Sequence, residues 1–284
     1  MPDYNVTVHG VTLRLSEAGK AGAPPVLLMH GFPQDRSMWR DVTPTLARTR
    51  RVISLDLRGA GESEAPRHGY STTERVADVV AVLDALGLDR VDVVGHDWGA
   101  WLGYRIALDH PDRVRRLVAI AMVHPWPMQR HLLPNVWRWW VTALFEVPGV
   151  GAWVLRRHLG VASWLLTRDS RRPDIWSSER LHRYVVRAAE PARASAGRQL
   201  HTQLIRDIPR LLLGRDRRRT LEAPTLVVGG EHDALIPPAV LTVPARLAGT
   251  MSVRTLPGGH FLVDEIPELV AELVDTHLGA ALRA

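Results

Sequence analysis

The spacing of apolar positions changes several times along the chain, and each change predicts a different element. Tyr4 to Val8 and Val11 to Leu15 alternate apolar and polar residues around a His9-Gly10 turn, the pattern of a half-exposed β-hairpin. Past Pro24-Pro25 the alternation gives way to an unbroken apolar run, Val26 to Met29. Val52 to Leu55, Val91 to Val94 and Val114 to Ala121 repeat it. Such runs suit strands buried on both faces. Between them the period lengthens. Val76, Val79, Val80, Leu83 and Leu86 share one helical face, opened by the capping-box pattern Ser71-Thr72-Thr73-Glu74 and closed by Gly87. Trp98 to Asp109 predicts a further helix. Strands alternating with helices imply crossover connections and a mostly parallel sheet flanked by helices, an α/β fold class.

The alternation breaks at His124-Pro125-Trp126-Pro127. From there to Arg217 the chain reads as helical, irregular and rich in Arg and Trp. Seven of the ten tryptophans fall in it: Trp126, Trp137, Trp139, Trp140, Trp153, Trp164 and Trp176. Strand patterns resume at Thr225 to Val228 and Met251 to Leu256, and an amphipathic helix from Pro267 to about Leu278 closes the chain. The expected organisation is one α/β core made of residues 1–123 and 218–284. Residues 124–217 would form a helical cap, or lid, inserted after the sixth strand.

Composition narrows the function. With 284 residues, 46% hydrophobic and 23% charged, the chain can build a large core without staples. It has no cysteine, which excludes disulfides, thiolate metal sites and a cysteine nucleophile. The start, MPDYNVTVHG, lacks a signal pattern, and no run reaches the ~20 apolar residues of a membrane span. A cytoplasmic enzyme is the expectation. The net charge of +6 comes from 36 basic and 30 acidic residues, and Lys20 is the single lysine. The arginines are spread along the chain, which reads as a solvated basic surface rather than a nucleic-acid site.

The strongest chemical signal is Val93-Val94-Gly95-His96-Asp97-Trp98-Gly99. Two glycines flank a central residue between a buried strand and a helix, as in a strained strand-to-helix elbow. The central residue is Asp97. A carboxylate is ionised at neutral pH and suits displacement at saturated carbon, giving an alkyl-enzyme ester. Alone, Asp97 could equally cap the helix that follows. Two further loops favour chemistry. Gly229-Gly230-Glu231-His232-Asp233 and Gly258-Gly259-His260-Phe261 each follow a strand and so reach the same sheet edge. The order Asp97, Asp233, His260 is nucleophile, acid, base. His260 would activate water and Asp233 would orient it. The N–H groups of Phe32 and Trp98 would form an oxyanion hole. His30, Asp56 and Arg58 read as scaffold.

Together HGFPQ at 30–34, DLRGAGES at 56–63, GHDWGA at 95–100, the GEHD loop and GGHF closely resemble α/β-hydrolase-fold epoxide hydrolases. Haloalkane and haloacetate dehalogenases are relatives with the same Asp–His chemistry. The resemblance implies an α/β-hydrolase fold and places nucleophile, acid and base on Asp97, Asp233 and His260. It implies no metal or organic cofactor. It also exposes departures. Epoxide hydrolases of this type usually carry two cap tyrosines that hold the epoxide oxygen, and Val141 and His201 fall where those would be. The leaving-oxygen donor would then be His201, an indole of Trp139 or Trp140, or Tyr184. A halide needs no such proton, so hydrolytic dehalogenation is the alternative. Against it, Phe32 stands where haloalkane dehalogenases have Asn, and Trp98 and Trp101 occupy the stretch where haloacetate dehalogenases carry a substrate-binding arginine. A repurposed binding or cyclisation module is a third reading. The expected partner is a bulky apolar or aromatic small molecule, with no nucleic acid and no membrane; a homodimer is compatible with the pattern but not specified by it.

Overall fold

The computed structural model describes residues 2–147, 150–216 and 218–280, apart from the side chains of Val141, Thr142, Glu146, Ala152, Leu155, Leu204, Ile205 and Ile208. Arg217, the expected end of the insertion, lies outside these residues. Eight strands form one sheet: β1 (Asp3–Val8), β2 (Val11–Ala18), β3 (Pro25–Met29), β4 (Arg51–Leu55), β5 (Val91–His96), β6 (Val114–Ile120), β7 (Thr225–Gly230) and β8 (Met251–Leu256). Their order is β1-β2-β4-β3-β5-β6-β7-β8. β1 and β2 pair antiparallel, as does β2 with β4, and the remaining pairs are parallel.

The apolar runs work as two-faced strands. In β3, Val26 and Leu28 join one core layer while Leu27 and Met29 join the other; Val93 and Val94 in β5 divide the same way. Helices α1 (Thr43–Leu46), α2 (Thr72–Ala85) and α3 (Trp98–Asp109) precede β6. The Ser71–Glu74 capping box forms in full at the start of α2. Between β6 and β7 lie α4 (Gln129–Leu132), α5 (Trp140–Glu146), α6 (Val150–Arg157), α7 (Leu159–Thr167), α8 (Ser178–Ala189) and α9 (Pro191–Leu212). After β8 come α10 (Leu262–Glu265) and α11 (Pro267–Gly279). Among the described residues no helix is long and apolar enough to cross a membrane.

From β3 the chain steps one way to β4, and from β5 it steps the other way, so neighbouring β3 and β5 form a topological switch point. Loops at the C-terminal ends of such strands diverge and leave a crevice. The helices between β6 and β7 lie over that crevice. His201 on α9 packs against the Phe32 ring at 4.7 Å, and the Trp139 indole N–H donates to the Leu235 carbonyl at 3.1 Å.

Candidate active site

The elbow is built by sterics. Asp97 has φ +49° and ψ −119°, a conformation that costs an L-residue about 1–3 kcal/mol. The tight path requires glycine on both sides: a Cβ on Gly95 would overlap the backbone of Gly99, and one on Gly99 would overlap the Met29 and His30 carbonyls. The capping alternative fails, because the Asp97 side chain makes no capping bond to α3. It turns to the crevice instead. Its Oδ2 accepts the Phe32 N–H at 3.0 Å, and the nearby Trp98 N–H favours its charged form. A Cβ on Gly31 would collide with the Asp97 side chain, so that glycine gives the carboxylate room.

The two distant loops converge on the same point. His260 Nε2 stands 3.9 Å from Asp97 Oδ1, and His260 Nδ1 is 2.9 Å from Asp233 Oδ2. Asp233 is itself fixed, its Oδ1 accepting the N–H groups of Leu235 and Ile236 at 2.8 Å each. Below, His96 Nε2 donates to the His260 carbonyl at 2.9 Å. His30 acts as scaffold: its Nδ1 donates to the Gly31 carbonyl at 2.8 Å and its Nε2 accepts the Leu57 N–H at 3.0 Å. Asp56 binds the Arg36 and Glu62 N–H groups, and Arg58 forms a two-pronged pair with Asp78.

Charge at the centre is finely set. Burial alone would lower the His260 pKa, but the Asp233 carboxylate on Nδ1, helped by Asp97, raises it to about 9. Burial raises the Asp97 pKa, opposed by His260 and by the Phe32 and Trp98 N–H groups. At neutral pH the His260 ring is therefore favoured as the imidazolium, facing the Asp97 side chain.

Above Asp97 is a chamber whose walls include Trp101, Met122, Trp139, Leu235 and Ile236, with His260 beside them. Of the described tryptophans between β6 and β7, Trp139 lines it, beside Trp98 and Trp101 from the elbow and α3. Trp137, Trp140, Trp153 and Trp164 are 64%, 54%, 53% and 44% exposed, on the outside of the helical layer. Trp140 is thus withdrawn as a donor candidate; it stacks on Trp164. Tyr184 is withdrawn too, because its buried hydroxyl donates to Asp264 Oδ1 at 3.1 Å beside Arg180. The Trp139 indole N–H is bonded to Leu235, as noted. His201 does reach the site, its ring 5.9 Å from Trp98, but burial lowers its pKa to about 4 and its Nδ1 donates to the Gly197 carbonyl at 2.7 Å. Its Nε2 is then a neutral acceptor. Val141 lies on α5, and its side chain is outside the described residues. Among the described residues no tyrosine lines the chamber.

Sequence reasoning missed Asp169, just past α7. Its Oδ2 accepts the N–H groups of Ala234, at 2.9 Å, and His260, at 3.3 Å, and so ties together the loops carrying Asp233 and His260. No motif surrounds it in the chain. Among the described residues, no group of three or more His, Cys, Asp or Glu side chains is placed to hold a metal.

Residues 24–267 match the family model described as alpha/beta hydrolase fold. The chain belongs to the α/β-hydrolase-fold family. It is 30% identical over 283 residues to the soluble epoxide hydrolase of Corynebacterium sp. (strain C12), covering 97% of this chain and 95% of that one. It is 32% identical over 292 residues to a fluoroacetate dehalogenase of Burkholderia sp., covering 97% and 93%. Among solved structures, the ligand-free epoxide hydrolase CorEH superposes with a TM-score of 0.83 at 25% identity, covering 98% of each chain.

Proposed function

We propose that the protein is an epoxide hydrolase, with Asp97 as nucleophile, His260 as base, Asp233 as its orienting acid, and the helices between β6 and β7 as a cap. One observation carries the reading: a carboxyl group held on a strained elbow, with one oxygen bound by Phe32 and the other facing an Asp233-anchored imidazole. Oδ1 attacks an epoxide carbon, the C–O bond breaks, and its electron pair leaves on oxygen. The alkoxide is protonated from solvent, and the product is an alkyl ester of Asp97. Oδ2, now the ester carbonyl oxygen, stays within reach of the Phe32 and Trp98 N–H groups. Esterification removes a negative charge facing His260, so the imidazole holds its proton less tightly and becomes a base. It takes a proton from water, whose oxygen bonds to Cγ. Charge gathers on Oδ2, where each backbone donor contributes about 3 kcal/mol to the transition state. As the Cγ–Oδ1 bond breaks, the His260 imidazolium gives its proton to the departing oxygen, releasing a vicinal diol, and the new carboxylic acid passes its proton back to the imidazole to restore the carboxylate. The chamber's apolar walls fit a bulky apolar or aromatic arm of the substrate.

Asp97→Ala should lower turnover of an aryl epoxide at least about 10⁴-fold. His260→Gln should accumulate a covalent adduct on Asp97, visible in the intact mass. A single turnover in heavy-oxygen water should yield unlabelled diol and labelled Asp97. Undiminished turnover by Asp97→Ala overturns the scheme.

The second reading is hydrolytic dehalogenation. It is favoured by the lack of any tyrosine hydroxyl in the chamber, since a halide leaves without a proton. Halide release from haloalkanes or haloacids, with epoxides inert, would select it.

A further inference from the structure

Trp98 is the shared wall of two cavities. One is the chamber over Asp97. The other lies alongside Phe32 and Trp98 and is lined by Arg58, Arg75, Arg187 and Arg193 among others. Three of these arginines are engaged. Arg58 grips both oxygens of Asp78 at 2.7 Å each. Arg187 pairs with Glu62 at 3.4 Å, and Arg193 binds Glu190 and the Gly61 and Ser63 carbonyls. Asp35, the one carboxylate in the lining, is turned to the Ser37 N–H.

Arg75 is different. It is 3% exposed, its Nε and Nη1 are buried without a hydrogen-bond partner among the described residues, and its guanidinium lies 5.9 Å over the Trp98 ring. It sits in the first turn of α2, where the helix dipole disfavours a cation. Burial pushes its pKa down to about 10, which leaves it charged at neutral pH. Asp97 and Asp78 lie near enough to favour its charge, but among the described residues neither accepts a hydrogen bond from it, and both oxygens of Asp78 are taken by Arg58. A buried cation without a bonded counter-ion is costly. Arginine's planar fork is the natural receptor for a carboxylate.

We propose that Arg75 anchors a carboxylate carried by the substrate. The substrate class is then an epoxy acid: an apolar arm in the chamber, the reactive carbon at Asp97, and the acid group beyond Trp98 against Arg75. This rests on the reading of Asp97 as nucleophile, but the anchor can be tested apart from it.

Calorimetry on the whole protein compares two unreactive probes, 3-phenylpropanoate and 3-phenylpropanamide. The acid should bind at least tenfold more tightly than the amide. Arg75→Met should abolish that preference, and Arg75→Lys should keep part of it; if the Met variant does not fold, Arg75→Gln replaces it. In turnover, the kcat/KM ratio of 3-phenylglycidate to 1-phenylpropylene oxide should fall at least tenfold in the same variant. An acid preference that survives Arg75→Met overturns the anchor, as does an equal fall for both epoxides, which would make Arg75 an electrostatic partner of Asp97. Acetate or chloride binding as tightly as 3-phenylpropanoate would mean a free-anion site and also overturns it. Acid binding that depends on Arg75, with no epoxide turned over, would instead sink the nucleophile while the anchor stands.

Discussion

The sheet edge and the helical layer above it hold their residues in different ways. At the edge, backbone does the placing. Asp97 and Asp233 each follow a fully buried strand and His260 follows the largely exposed edge strand β8, and carbonyls and N–H groups from neighbouring loops leave each little freedom. In the helical layer, side chains do the placing, and the same residue type meets opposite fates: Trp139 is buried over the chamber while the next residue, Trp140, faces solvent. The edge tolerates little variation because its geometry is the chemistry. The layer can change its contents and thereby change which molecule is admitted.

Paired glycines give the sharpest contrast. Gly99→Ala would press a methyl into the Met29 and His30 carbonyls, whereas a Cβ on Gly160 in α7 meets nothing within 4 Å. The first should cost about 3 kcal/mol or more, and the second should be neutral or stabilise by up to ~1 kcal/mol. Urea unfolding of both tests this; equal effects would erase the distinction between the regions.

A pH series probes the same edge. The His260 pKa is raised in the folded protein to about 9, from an unfolded value near 6.5. Its stabilising contribution is therefore full below about pH 6.5 and fades as pH rises through about 9. It is on the order of 3 kcal/mol at most. The melting-temperature gap between the wild type and His260→Gln should narrow across that window; a gap that is flat with pH counts against the imidazolium.

Asp169 tests where the two regions join. Asp169→Ala frees the Ala234 and His260 N–H groups. It should cost about 1–2 kcal/mol and lower kcat roughly tenfold by loosening the base. An unchanged kcat would make the clasp purely structural. At the small end, Trp140→Ala should shift stability by less than about 0.5 kcal/mol and kcat/KM by less than about twofold.

The strands, the capping box of α2 and the elbow were all legible in the chain because each is a local pattern. A two-faced apolar run, a Ser-x-x-Glu cap and a Gly-x-x-x-Gly bend depend on residues only a few positions apart. The helices between β6 and β7 were legible as helices but not as a surface. Tyr184 was a candidate donor by position alone, and the fold commits its hydroxyl to Asp264, eighty residues away. Trp140 and Trp139 are indistinguishable as letters. Asp169 and Arg75 carry no motif, and their importance comes from groups brought to them across the fold.

By itself, then, the chain's order of residues determined the sheet's inner strands, the bend that lifts residue 97, and the sequence Asp97, Asp233, His260 along strand-end loops. Steric clashes and short-range hydrogen bonds act between near neighbours, so a linear string records them. Only the folded molecule decided which indole faces the chamber, which tyrosine is spent elsewhere, and which buried arginine stands without a partner. Those outcomes depend on packing and desolvation, which sum over atoms far apart in the chain and have no signature in any short stretch of it.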